Sequence, residues 1–286
     1  MSHSPVWDAH ADAEPQNPLG VDVGRQQSHN ACMRRRVLSV LGVLVGAAAV
    51  AAIPAGASHS WGDYHWARTG NPFTLKVIDS VTSSWDGDLD AVEGDWSKST
   101  VLDLAEEAGA DDNSTRKRCK AVSGKLHACD AAYGFNGWLG VAQIWVSGGH
   151  ILKAVAKVND SYFSTSTYNN ANAKRHVLCQ EVGHTFGLGH QTAVSCMDDR
   201  NGLFDGAYVS PNQHDYEQLV TIYGSHTDSS STVSSATTTS PAPGNGKGVQ
   251  VDDSLYVEEL GNGVRLYTWV YWVDPGVPHP QPPADA

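Results

Sequence analysis

Apolar and polar residues alternate from Phe73 to Asp79 (Phe-Thr-Leu-Lys-Val-Ile-Asp), the period of a half-buried strand. The period then changes. Trp85, Leu89, Val92 and Trp96 recur at helical spacing and predict a helix whose stripe, two tryptophans included, enters a core. Val101–Glu107 fits strand or helix and is read as a strand. Gly137–Val146 reads as a strand between turn signals, and Ile151–Phe163 carries another. Cys119 and Cys129 flank a hairpin-like segment turning at Ser123-Gly124. Leu178, Val182 and Phe186 are four apart and form the buried stripe of a further helix, which Gly187 stops. Ser210 as N-cap and Pro211 at the first position open the next helix; Tyr216, Leu219, Val220 and Tyr223 face the core and Gly224 closes it. Val249–Asp274 alternates around Gly261-Asn262-Gly263, a hairpin too small to build its own core, so it must dock or assemble. Trp61–Asn71 shows no clear period.

The polar side of the Leu178–Phe186 helix carries the candidate chemistry. Gln180 and His184 are four apart and stack on one face, and the turn at Gly187 brings His190 back towards His184. The apolar face can then bury while the polar face meets a cleft. His127, His150, His176 and His214 are isolated and read as surface residues. His176 lies four before Gln180, a turn too early to work with Glu181.

The run Gln180-Glu-Val-Gly-His184-Thr-Phe-Gly-Leu-Gly-His190, followed by Ser195-Cys196-Met197, resembles the metzincin pattern H-E-x-x-H-x-x-G-x-x-H with its methionine turn, except that Gln180 stands at the first ligand position. It looks like a group of secreted bacterial metzincin-like proteins in which glutamine is usual there. The likeness runs from about Phe73 to Tyr223, including Gly137–Trp145 and Pro211–Tyr216. It implies an α/β (α+β) zincin fold: a mixed twisted sheet, an active-site helix and a C-terminal helix, here with a small β-hairpin tail. It implies one catalytic zinc on His184, His190 and Gln180, Glu181 as general base and Met197 as floor. It also makes Gly140, Val141 and Ala142 the substrate-binding edge, where an extended peptide adds as a strand. No motif calls for calcium.

The start of the chain changes the picture. Residues 1–32 are polar and read as a spurious or disordered extension. Met33-Arg-Arg-Arg, the apolar run Val37–Ile53 and Ala55-Gly-Ala57 form the three parts of a signal peptide, 33–57, leaving Ser58 first in a secreted chain. The catalytic domain is then 58–224, a Ser/Thr/Pro/Gly-rich linker 225–248, the hairpin 249–274 and a disordered tail 275–286. No propeptide is recognisable between Ala57 and Phe73. The net charge of −12 argues against nucleic acid and anionic membranes. The resemblance implies a protein or peptide substrate, and a monomer is expected. Cleavage removes Cys32, one of five cysteines. The other four allow three pairings, of which the local one, Cys119–Cys129 and Cys179–Cys196, is expected. The second bond would tie the active-site helix to the methionine turn. The functional expectation is a secreted zinc metalloendopeptidase; the alternative is a catalytically silent relative that binds a protein or surface polymer.

Overall fold

The computed structural model describes residues 59–231 and 248–278, which lie in one compact unit. The leader, most of the linker and the last residues fall outside that range, so the expectations for 1–58, 232–247 and 279–286 lie outside the described residues. Among those described, no helix is long and apolar enough to cross a membrane.

In chain order come β1 (His65–Trp66), β2 (Phe73–Ser80), α1 (Asp86–Trp96), β3 (Leu102–Ala108), α2 (Asn113–Arg118), β4 (Lys125–Ala131), β5 (Trp138–Ser147) and β6 (His150–Asn159). There follow α3 (Asp160–Phe163), α4 (Ala171–His184), α5 (Gln213–Tyr223), β7 (Val249–Gln250), β8 (Leu255–Gly261) and β9 (Val264–Trp272). The fold is mixed α/β. The strands form one sheet in the order β3-β2-β4-β6-β5-β9-β8-β7, with β1 beside the start of β6. β3, β2, β4 and β6 are parallel, and β5 turns antiparallel to β6. The C-terminal hairpin does not stand apart: β9 pairs antiparallel with β5 along Trp138–Ser147 and extends the main sheet. Its turn, Gly261-Asn262-Gly263, has positive φ throughout, as a tight hairpin demands.

α1 and α4 pack on each other against the sheet. Trp85, Leu89, Val92 and Trp96 are all buried, as their spacing predicts. Trp96 donates to the Cys179 carbonyl at 3.2 Å and meets Phe186 edge-on at 5.5 Å, so one side chain joins α1 to both ends of the metal-motif segment. The disulfides are Cys119–Cys129 and Cys179–Cys196. Two such bonds fit an oxidising compartment. The second closes a 17-residue span between α4 and the turn below it, worth about 3 kcal/mol as chain entropy.

Several local readings are corrected. The segment between Cys119 and Cys129 is not a hairpin: Cys119 caps α2 in the left-handed region, and β4 leaves the turn at Gly124 to pair in parallel with β2 and β6. Helix α2 itself is nucleated by the Asp112 side chain, which accepts from the Ser114 and Thr115 N–H groups. The strand expected over Ile151–Phe163 ends at Asn159, whose side chain caps the helical turn α3. Helix α5 starts after Asn212, not Ser210, because Asn212 and Asp215 form a reciprocal capping box. Val220, expected to face the core, is 44% exposed, while Leu219 and Tyr223 are buried.

Trp96→Ala is expected to cost about 3–5 kcal/mol through the cavity it leaves, whereas Val220→Ala should change stability by no more than about 0.5 kcal/mol. Urea unfolding of the two variants beside the parent checks both.

Candidate metal centre

Helix α4 starts on Asn170, whose side chain accepts from the Asn172 and Ala173 N–H groups, and it runs to His184. Thr185 is its C-cap, and Gly187 turns the chain at φ +96°, a value that leaves no room for a Cβ beside the Tyr64 carbonyl. His190 is thereby returned to His184, as the spacing requires: the two Nε2 atoms are 3.1 Å apart.

The other ring nitrogens decide what that approach means. His184 Nδ1 lies 2.8 Å from the Leu188 carbonyl, which can only accept, so Nδ1 carries the proton and Nε2 presents a lone pair. His190 Nδ1 is 3.0 Å from Asp199 Oδ2. Burial by itself would raise the Asp199 carboxyl, but the hydrogen bond and charge of His190 outweigh it and hold the group below the usual range. Asp199 therefore accepts, and His190 also turns Nε2 inward. Two imidazole nitrogens facing at 3.1 Å need a proton or a cation between them. Ligands on a tetrahedral zinc at about 2.0–2.1 Å stand about 3.3 Å apart, close to the observed spacing.

Gln180, one helical turn before His184, leaves a third candidate atom. Its Nε2–H donates to the Cys196 carbonyl at 3.0 Å, which leaves Oε1 buried with no hydrogen-bond partner. A buried orphan oxygen costs roughly 1–3 kcal/mol unless something binds it. The residues present thus fit a zinc ion: two oriented imidazoles and one otherwise unpaired amide oxygen. Met197 lies beneath, its sulfur facing Gly183, and its turn is pinned by the Ser195 hydroxyl to the Met197 N–H and by the Met197 carbonyl accepting from the Gln191 N–H. Cys196 brings the same turn to α4 covalently.

Glu181 is completely buried. The backbone N–H groups of Ala142 and Tyr271 approach its carboxyl, yet neither oxygen has a hydrogen bond of full geometry. Burial accordingly pushes its pKa well above the usual carboxylate value, against the weaker pull of those two amides. Burial also keeps His184 neutral, lowering its pKa well below the ordinary histidine value, and His190 adds to the effect.

The polar face of α4 does not meet an open cleft, contrary to the expectation from its pattern. Strand β9 covers it. Gly140, Val141 and Ala142, expected to offer a free edge, pair with Tyr271, Val270 and Trp269. Trp269 stacks on the His184 ring at 4.3 Å, nearly parallel, and meets His190 edge-on at 4.8 Å. The sequence reading did not find Trp269. Its signal was present in Tyr267-x-Trp269-x-Tyr271, an aromatic stripe on one face of a strand, but nothing in the sequence named the strand it would pair with.

The histidines read as surface residues are placed differently. His127 and His176 are buried; His176 Nε2 lies 2.9 Å from the Asp198 carbonyl and takes no part in the centre. His150 is not isolated, for it joins His65 and Asp228. Cys119, His127 and Cys129 also converge, but their sulfurs are spent in the disulfide.

Comparison with protein-family models gives no match, and comparison with curated proteins gives none either. Among solved structures, the chain is similar to archaemetzincin from Methanopyrus kandleri, at 18% identity over 56% of this chain and 96% of that one, with a TM-score of 0.33.

The raised Glu181 pKa has a fixed sign in stability. The folded chain keeps a proton that the unfolded chain gives up above about pH 4.5, so Glu181 costs stability increasingly as pH rises past that point. In metal-free protein, Glu181→Gln is expected to raise the urea midpoint over the parent at pH 7 and to leave it unchanged at pH 4.

Proposed function

We propose that the protein is a secreted zinc metalloendopeptidase of metzincin type, kept latent by its own C-terminal hairpin. The observation that carries this reading is the pair of inward-facing Nε2 atoms of His184 and His190, 3.1 Å apart, on a segment whose Gln180 Oε1 and Glu181 carboxyl are also buried and unpaired. A bound zinc supplies a Lewis acid that polarises the scissile carbonyl and acidifies the attacking water. His184, His190 and Gln180 would hold it, with Asp199 and the Leu188 carbonyl fixing the two rings. Glu181 takes the proton from the attacking water and returns it to the leaving amine. Gln180 is the weak member, since a neutral amide oxygen is a poorer zinc donor than imidazole.

The substrate reading follows from the sheet. A peptide that added to the backbone of Gly140, Val141 and Ala142 would lie along Glu181 and the metal centre, and β9 already holds that edge. A segment tethered in the same chain competes at an effective concentration on the order of millimolar, which a dilute substrate cannot match. Cleavage therefore requires the hairpin to leave. Export is supported by the leader pattern and the two disulfides.

The second reading, a catalytically silent binding domain, is favoured by the same cover over Glu181 and by Gln180. Trp269→Ala loosens the cover and separates the two. Under the peptidase reading this variant cleaves casein at least tenfold faster than the parent, and Glu181→Ala placed in the same background abolishes cleavage without releasing zinc. Gln180→His should tighten zinc at this centre and His184→Ala should lose it, as followed by zinc content after dialysis against graded chelator. If the parent and the Trp269→Ala variant both bind zinc through His184 and neither cleaves casein or gelatin, the silent reading replaces this one.

A further inference from the structure

Away from the motif helix, a second set of metal-type donors converges where β1, β6 and the chain following α5 meet. His65 and His150 are register partners on adjacent parallel strands. Asp228 Oδ1 lies 2.9 Å from His150 Nε2 and 3.7 Å from His65 Nε2. His226 Nε2 stands 3.2 Å from His65 Nε2. These separations bracket the spacing of about 3.3 Å that tetrahedral zinc imposes on its donors.

The outer contacts orient the donors as a metal site would. His65 Nδ1 faces the Asp63 carbonyl at 3.2 Å, which fixes the proton there and leaves Nε2 as a lone pair. His226 Nδ1 lies 3.2 Å from the Ser225 hydroxyl, and its Nε2 faces His65. Asp228 gives its other oxygen, Oδ2, to the Arg68 backbone N–H at 3.1 Å and to Arg68 Nη1 at 3.2 Å, so Oδ1 alone is turned to the histidines. The buried Arg68 is itself anchored by donating to the Tyr223 and His226 carbonyls. The side chains of His65, Asp228 and His150 are 12%, 16% and 28% exposed, sheltered from bulk water yet within reach of an ion.

We propose that His65, His150 and Asp228 form a second zinc site, structural in role and independent of the His184 centre, with the exposed His226 beside His65 as the nearest donor for its fourth position. Two imidazoles and one carboxylate, with a third imidazole within reach, are a donor set that zinc takes up readily. Such an ion would pin the chain leaving α5 to the β1–β6 edge. That pin stands at the root of the segment that leads on to β7, β8 and β9. Nothing in the proposed peptidase chemistry requires it, so the two sites can be tested apart.

The test uses the full mature chain and zinc as the probe. The double variant His184→Ala/His190→Ala, equilibrated with zinc buffered at low micromolar free ion and analysed by elemental mass spectrometry, is expected to retain one zinc per chain. Adding His150→Gln and Asp228→Asn should reduce it to none. Against a misfolded background, His65→Gln in the otherwise unaltered chain should lower the zinc content by one equivalent, while Glu181 and the His184 centre are untouched and the circular dichroism spectrum is preserved. Cobalt(II) in the double variant should give the strong visible bands of a four-coordinate site. The proposal is overturned if the double variant, folded by circular dichroism, holds no zinc under these conditions. It is equally overturned if its zinc survives the His150 and Asp228 substitutions, since the ion would then sit elsewhere.

Discussion

A helix buried on both faces must find partners for every polar group it carries, and α4 is such a helix. Its apolar side, with Leu178 and Val182, joins the core, while Gln180, Glu181 and His184 on the other side are as deeply buried. The surrounding structure is arranged about that demand. The Leu188 carbonyl takes the His184 Nδ1 proton, the Cys196 carbonyl takes the Gln180 amide, and Asp199 takes His190. What remains unpaired is one amide oxygen, one carboxyl and two facing imidazole nitrogens. A zinc ion held as proposed would satisfy the amide oxygen and the two imidazole nitrogens together.

The same demand accounts for the hairpin. β5 would otherwise be an edge strand, with a row of unpaired backbone groups beside a polar pocket, and β9 closes it. The aromatic stripe Tyr267, Trp269 and Tyr271 adds apolar burial on the α4 side: Tyr267 meets Trp61 and Tyr64, and Trp269 covers His184. Backbone pairing and aromatic stacking act along one strand, so β9 is held on β5 and over α4 by both at once.

Two cross-links frame the centre. Cys179–Cys196 holds the methionine turn under α4, and Trp96 ties α1 to the carbonyl of the same Cys179. The His65–His150–Asp228 cluster lies where the chain following α5 meets β1 and β6, and its geometry is held by Arg68 rather than by any part of α4. The two candidate centres therefore share no positioning residue.

Local period was enough to read β2, α1, β5 and the closing hairpin, because alternation and helical spacing report which side of an element meets a core, whereas the period of β3 fitted strand and helix alike. Spacing also brought His190 to His184, since a helix followed by a glycine turn has little freedom in where the next residues go. Where local signals competed, the choice was made by contacts that no window contains. Asn212 displaced Ser210 as the α5 cap through its exchange with Asp215, and β4 entered the sheet in parallel instead of folding back on Cys119. The large departures all join residues distant in sequence. Trp269 meets His184 and Asp228 meets His150 only because strands and loops far apart in the chain are set side by side. The sequence by itself determined which residues α4 presents. The order of strands in the sheet decided that they are covered, because pairing between distant strands depends on the whole sheet closing and leaves no trace in the spacing of either partner.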